Sequence, residues 1–217
     1  SGQMCTAPQN LYVPKSGIDT PEGHRSFDDF TNGLAQAVTR LTEDPSRAVD
    51  VLGAITGDAV LRRLEAARSL GPIVLDTHAL TPPAWPEARV QTPLIVKLSR
   101  GERATYLNEW FGPIAFVIAT DGTDDSLAIA RDAVASHGAL TLSVYSTRDD
   151  VVAKAIDVAE ASAVALSINL TGGVFVNQSA AFSDFHGTGA NPAANAALTD
   201  AAYVAGRFRV VQHRMHV

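Results

Sequence analysis

The chain is predicted to be an α/β protein, a mostly parallel sheet flanked by helices. Three observations point there. Short apolar runs alternate along the chain with stretches of helical periodicity. One run, Ile114 to Ala119, is apolar throughout, as in a strand covered on both faces. The composition, 46% hydrophobic and 18% charged with few aromatics, suits small-residue helices packed on a sheet. A length of 217 residues is enough for one sizeable core.

The elements follow in order. Leu11-Tyr12-Val13 reads as a short strand ended by Pro14. Phe27, Phe30, Leu34, Val38 and Leu41 recur at helical steps, with Ser26 ahead of Asp28 and Asp29 as start signals and Asp44-Pro45 as the stop. Val60, Leu61, Leu64 and Ala67 mark a second helix ending at Gly71. Ile73-Val74-Leu75 is expected as a short buried strand, and Thr81 to Pro86 as a rigid loop. Leu94 to Leu98 and Ile114 to Ala119 are strands, and Thr123 to Ser136 a helix with two Asp near its start. Leu140 to Tyr145 is a strand and Asp149 to Ala163 a helix. Val164 to Ile168 and Val174 to Val176 are short strands split by Gly172-Gly173. Gln178 to Ala194 reads as an exposed functional loop, Ala196 to Val204 as a short helix and Phe208 to Val211 as a terminal strand. That last strand has no partner nearby in sequence, so it is either a capped edge or a pairing edge for another subunit. No internal repeat or linker interrupts the chain.

Several functions are argued against. The net charge is −6, and the one basic cluster (Arg207, Arg209, His213, Arg214) is short, so nucleic acid is not an expected partner. No apolar run reaches the roughly 20 residues of a membrane span. No signal peptide is visible. No spacing among His24, His78, His186, His213 and His216 suggests a zinc site. A single cysteine cannot form an internal disulfide and suits a reducing, cytoplasmic compartment. Cys5 itself has two readings. It is a small buried hydrophobe, or a nucleophile on a tight turn leading into the first strand. The small and polar residues around it (Gly2, Gln3, Thr6) favour the turn.

Gly2-Gln3-Met4-Cys5-Thr6-Ala7 resembles the catalytic-cysteine motif of the aldehyde dehydrogenase superfamily. Asn108-Glu109-Trp110-Phe111-Gly112-Pro113 resembles that family's Glu-Glu-x-Phe-Gly-Pro segment, with Asn108 in place of the first Glu. Gly172-Gly173-Val174-Phe175-Val176-Asn177 is similar to its Gly-x-Val-x-x-Asn strand. Beyond it, Phe182-Ser183-Asp184-Phe185-His186-Gly187-Thr188-Gly189 departs from the usual Pro-Phe-Gly-Gly, in a form closest to the phenylacetate-degradation, ring-cleavage branch. The resemblance covers essentially the whole chain and corresponds to the family's C-terminal half.

The resemblance implies oxidation of an aldehyde to an acid or thioester with NAD or NADP. Cys5 would be the nucleophile, its backbone N–H helping to form the oxyanion hole. Glu109 would hold the nicotinamide ribose hydroxyls, and Phe111 would pack near the nicotinamide. Met4, Thr6 and Phe182 would line the substrate tunnel. Residues 1–205 would form the catalytic domain and 206–217 a strand and tail of the kind used in homo-oligomers. In the family the dinucleotide domain, the general-base glutamate and the oxyanion asparagine all precede the cysteine motif. The expected partner is therefore an N-terminal cofactor domain, and the chain alone is expected to be inactive. Two other classes stand beside this one. The first is a non-catalytic α/β assembly module, favoured if Cys5 is buried and inert. The second is a cysteine hydrolase, which needs a His within reach of Cys5.

Overall fold

The computed structural model describes residues 4–173 and 213–216. They fall into two compact units, Ser1–Gly122 and Thr123–Val217.

The first unit is built on a four-stranded sheet in the order β1-β8-β7-β4. Strands β1 (Asn10–Pro14), β7 (Leu94–Ser99) and β8 (Ile114–Thr120) run parallel, with Val96 beside Phe116 and Leu11 beside Val117. Side chains alternate across a strand, so the two faces separate. Val13, Ile95 and Val117 form a cluster with Phe27, joined by Phe30, Leu34 and Val38 of helix α1 (Phe27–Thr42). Lys97 shares this face and lays its ammonium 4.7 Å from the centre of the Phe27 ring. Val96, Leu98, Phe116 and Ile118 alternate with these residues along their strands and are fully buried.

Several elements differ from expectation. Asp44-Pro45 ends α1 but also starts helix α2 (Pro45–Leu52). The Asp44 carboxylate accepts from the Ser46 N–H at 2.9 Å, and Pro45 needs no donor at that position. Ala48 and Leu52 then bury against Val90. Helix α3 (Asp58–Ala67) lies where expected and packs on β7. Strand β4 (Ile73–Leu75) is real but is not buried. It runs antiparallel to β7 at the sheet edge, with an irregular register and Ile73 43% exposed. Five short elements come in addition. They are the hairpin β2 (Ile18–Thr20) and β3 (Gly23–Arg25), the pair β5 (Ala79–Leu80) and β6 (Val90–Gln91), and helix α4 (Arg103–Tyr106). The β2–β3 hairpin requires Gly17, where φ is +97° and a Cβ would sit 2.1 Å from the Arg25 carbonyl oxygen.

In the second unit β9 (Thr141–Val144), β10 (Ala165–Ile168) and β11 (His213–Met215) are parallel, in the order β11-β10-β9. Helices α5 (Thr123–His137) and α6 (Asp149–Ala161) contribute Val134, Ala155 and Ala159 to a core with Val164, Leu166 and Ile168. The terminal strand β11 pairs with β10 of its own chain. The strands expected at 174–176 and 208–211, the helix expected at 196–204 and the loop at 178–194 lie outside the described residues, as does the expected boundary at 205. Among the described residues, no helix is long and apolar enough to cross a membrane.

Candidate active site

Cys5 sits in a turn closed by the Ala7 N–H donating to the Met4 carbonyl at 3.0 Å. The thiol is exposed, so the buried-hydrophobe reading does not hold. Met4 is 40% exposed and Thr6 half-buried beside it. The turn leads through Pro8 and Gln9 into β1.

Glu109 lies on the segment Asn108–Pro113, which leads into β8. Because β1 and β8 are adjacent and parallel, the two segments ahead of them meet at one end of the sheet. Gln9 joins them directly. Its Nε2 donates to the Asn108 carbonyl at 2.9 Å and to the Tyr106 carbonyl at 3.2 Å, and its Oε1 accepts from the Trp110 N–H at 2.7 Å. Its own carbonyl accepts from the Phe116 N–H at 2.7 Å, within the ladder to β8. Gln9 lies four positions after Cys5, at most about 15 Å of chain. The thiol turn and the Glu109 segment therefore both lead into strands that start at one end of the sheet.

The segment around Glu109 is braced from several directions. Asn10 Nδ2 donates to the Tyr106 carbonyl at 2.8 Å. The Tyr106 ring is buried edge-on to Tyr12, and its hydroxyl donates to the Arg100 carbonyl at 2.9 Å. Trp110 packs edge-on to Phe116 and donates from Nε1 to the Thr105 carbonyl at 3.0 Å. Arg63 donates to the Phe111 carbonyl at 3.0 Å, leaving the Phe111 ring 41% exposed. Gly112 follows at φ +149°, where a Cβ would come within 2.9 Å of Val60 Cγ1. Glu109 is exposed. Burial pushes the Tyr12 hydroxyl up to about 12, so it stays neutral at working pH and cannot serve as a base.

Met4, Cys5 and Thr6 thus precede β1 as Glu109 and Phe111 precede the neighbouring parallel β8, with Gln9 as the link between the two segments. Phe182 lies outside the described residues. Sequence reasoning missed Gln9, Asn10, Arg63 and Tyr106. The only local signal was a polar Gln-Asn pair directly before an apolar strand, where packing alone gives no reason for polar side chains. Glu109 and Phe111 are both exposed, on a backbone held by Gln9 and Arg63. Two histidines of this unit are bonded elsewhere. His24 contacts Asp19 and the Ser16 carbonyl, and His78 contacts Thr92. Neither supports the hydrolase alternative. Among the described residues, no group of three or more His, Cys, Asp or Glu gathers as for a metal ion.

The chain is similar to several known proteins. The model of the aldehyde dehydrogenase family matches residues 1–194. The crystal structure of an NAD-dependent aldehyde dehydrogenase from Burkholderia multivorans superposes with a TM-score of 0.88 at 62% identity, covering 95% of this chain and 37% of that one. Lactaldehyde dehydrogenase of Escherichia coli (strain K12) is 28% identical over 163 residues, 72% of this chain and 31% of its own length. Proline Utilization A (PutA) of Bradyrhizobium japonicum, at 21% identity and a TM-score of 0.51, shares the fold over 83% of this chain. The chain therefore spans about a third of the length of the first two relatives. A family match that takes in both the thiol turn and the Glu109 segment, together with the close structural likeness, places this chain in the aldehyde dehydrogenase family.

Proposed function

We propose that this chain is the C-terminal catalytic portion of an NAD(P)-dependent aldehyde dehydrogenase. The observation that carries the reading is the Gln9 bridge, which ties the strand following the Cys5 turn to the Glu109 segment ahead of the adjacent parallel strand. An exposed thiol on a turn suits attack on a carbonyl carbon. As thiolate, Cys5 forms the C–S bond, and the former carbonyl oxygen becomes an oxyanion that the Cys5 N–H helps to hold. The nicotinamide, when bound, supplies the acceptor for the hydride that leaves this carbon. The acyl group, now a thioester on Cys5, passes to water or to coenzyme A. Glu109 would hold the two ribose hydroxyls with its two carboxylate oxygens, and Phe111 would pack beside the ring. Met4 and Thr6 would line the path of the aldehyde.

The remaining length of the similar enzymes supports an N-terminal cofactor domain of the same protein, without which this chain is expected not to turn over. We place the enzyme in the cytoplasm, as a homo-oligomer acting in aromatic (phenylacetate) catabolism. The substrate assignment rests on the likeness of the Phe185-His186-Gly187-Thr188-Gly189 segment to that branch.

The experiment is turnover of aromatic and short aliphatic aldehydes with NAD and NADP, by the complete enzyme and by this chain alone. Cys5→Ala in the complete enzyme is expected to lower kcat about 1,000-fold or more. Retained activity in that variant, or oxidation by the isolated chain, would contradict the reading.

A further inference from the structure

We propose that Gln9 is a positioning residue for cofactor binding, its side-chain amide holding both peptide units of Glu109 in fixed relation to the strand that follows the thiol turn. The inference rests on the reading of Cys5 and Glu109 given above. Gln9 commits its amide to one short segment. The donor takes the carbonyl of Asn108, in the peptide bond before Glu109, at 2.9 Å. The acceptor takes the N–H of Trp110, in the peptide bond after it, at 2.7 Å. A second contact from the same nitrogen reaches the Tyr106 carbonyl at 3.2 Å, where Asn10 also donates. The backbone of Gln9 is meanwhile locked to β8 through Phe116.

A planar group with a donor and an acceptor is what this task requires. Glutamate at position 9 would keep an acceptor for Trp110 but set a negative charge against two carbonyl oxygens. Alanine would free both peptide units. A solvated surface acid gains nothing from such bracing, whereas a carboxylate that must meet two adjacent hydroxyls depends on its backbone position.

The test is a double-mutant cycle in the complete enzyme: Gln9→Ala, Glu109→Gln and the pair, reading kcat/KM for NAD and the thermal midpoint of each. Gln9→Ala is expected to lower kcat/KM by about 10- to 100-fold when Glu109 is present. In the Glu109→Gln background the same change should cost less than about 2-fold, since misplacement matters only where there is a carboxylate to misplace. Gln9→Glu gives the same cycle should Gln9→Ala not fold. Equal losses in both backgrounds mean a general packing role and overturn the proposal. A harmful Glu109→Gln beside a harmless Gln9→Ala overturns the role of Gln9 alone. A harmless Glu109→Gln removes the reading of Glu109, and this proposal with it.

Discussion

The imidazole of His24 is held by two acceptors, the Asp19 carboxylate at 2.8 Å and the Ser16 carbonyl at 2.9 Å. Both contacts want a ring N–H, so the doubly protonated ring fits the site. The Asp19 contact first, then the Ser16 carbonyl, raise its pKa above the ordinary histidine value. A raised folded pKa gives stability that is fully present below the unfolded value, about 6.5, and is lost as pH rises through the folded one. The site is exposed, so the effect is local to the β2–β3 hairpin and weakened by salt. An NMR titration of this chain should put His24 above the ordinary value, with Asp19→Asn bringing it down. An unshifted titration would contradict the clamp. Gly112 presents a different constraint, since a methyl there meets both an unfavourable φ and the Val60 side chain. Gly112→Ala should destabilise the first unit by about 1–3 kcal/mol, read from urea unfolding. The Phe-Gly-Pro run made this glycine visible in the sequence. Val60, some 50 positions earlier, did not, because a steric partner supplied by another element leaves no local pattern.

Elements defined by their own residues were the legible ones. Helix α1 carries its core face at helical spacing and its start signal in Ser26 and Asp29, which form a reciprocal capping box. Ser26→Ala should cost about 1 kcal/mol. The Ser26 hydroxyl and N–H hold the Asp29 carboxyl below the usual carboxylate range. A depressed pKa gives stability that is present above the unfolded value and lost as pH falls through the folded one. The Ser26→Ala penalty, measured by thermal melts, should therefore shrink on acidification below about pH 4. A penalty that stays constant down to pH 2 would rule out this coupling. The elements that escaped are those whose reason for existing lies elsewhere in the chain. Strands β5 and β6 pair across a proline-rich loop, and the β2–β3 hairpin depends on Gly17 meeting the Arg25 carbonyl. The edge position of β4 is set by its partner β7, so three apolar residues read as buried while one of them faces solvent. The candidate site divides the same way. Its chemistry-bearing residues stood out as motifs, whereas the Gln9 bridge spans a hundred positions and appears only once β1 and β8 are side by side.

At the scale of the whole chain, the second unit takes its third strand from the far end of the sequence. Leu166, Ser167 and Ile168 of β10 lie opposite His213, Arg214 and Met215, and the His216 N–H donates to the Ile168 carbonyl at 3.1 Å. With β9 on its other side, β10 is a central strand with all four residues buried. Removing residues 213–217 would turn β10 into an edge and expose unpaired N–H and C=O groups beside Leu166 and Ile168, which are otherwise nearly inaccessible. Two outcomes are open to such an edge. It can fray, or it can pair with the same edge of another copy. Fraying should appear as faster hydrogen exchange at the Ile168 amide, which faces β11, with a concentration-independent thermal midpoint. Pairing should appear as a dimer whose population rises with protein concentration in sedimentation velocity. Either one distinguishes a structural β11 from a dispensable tail, because a tail that contributes nothing would leave both exchange and mass unchanged.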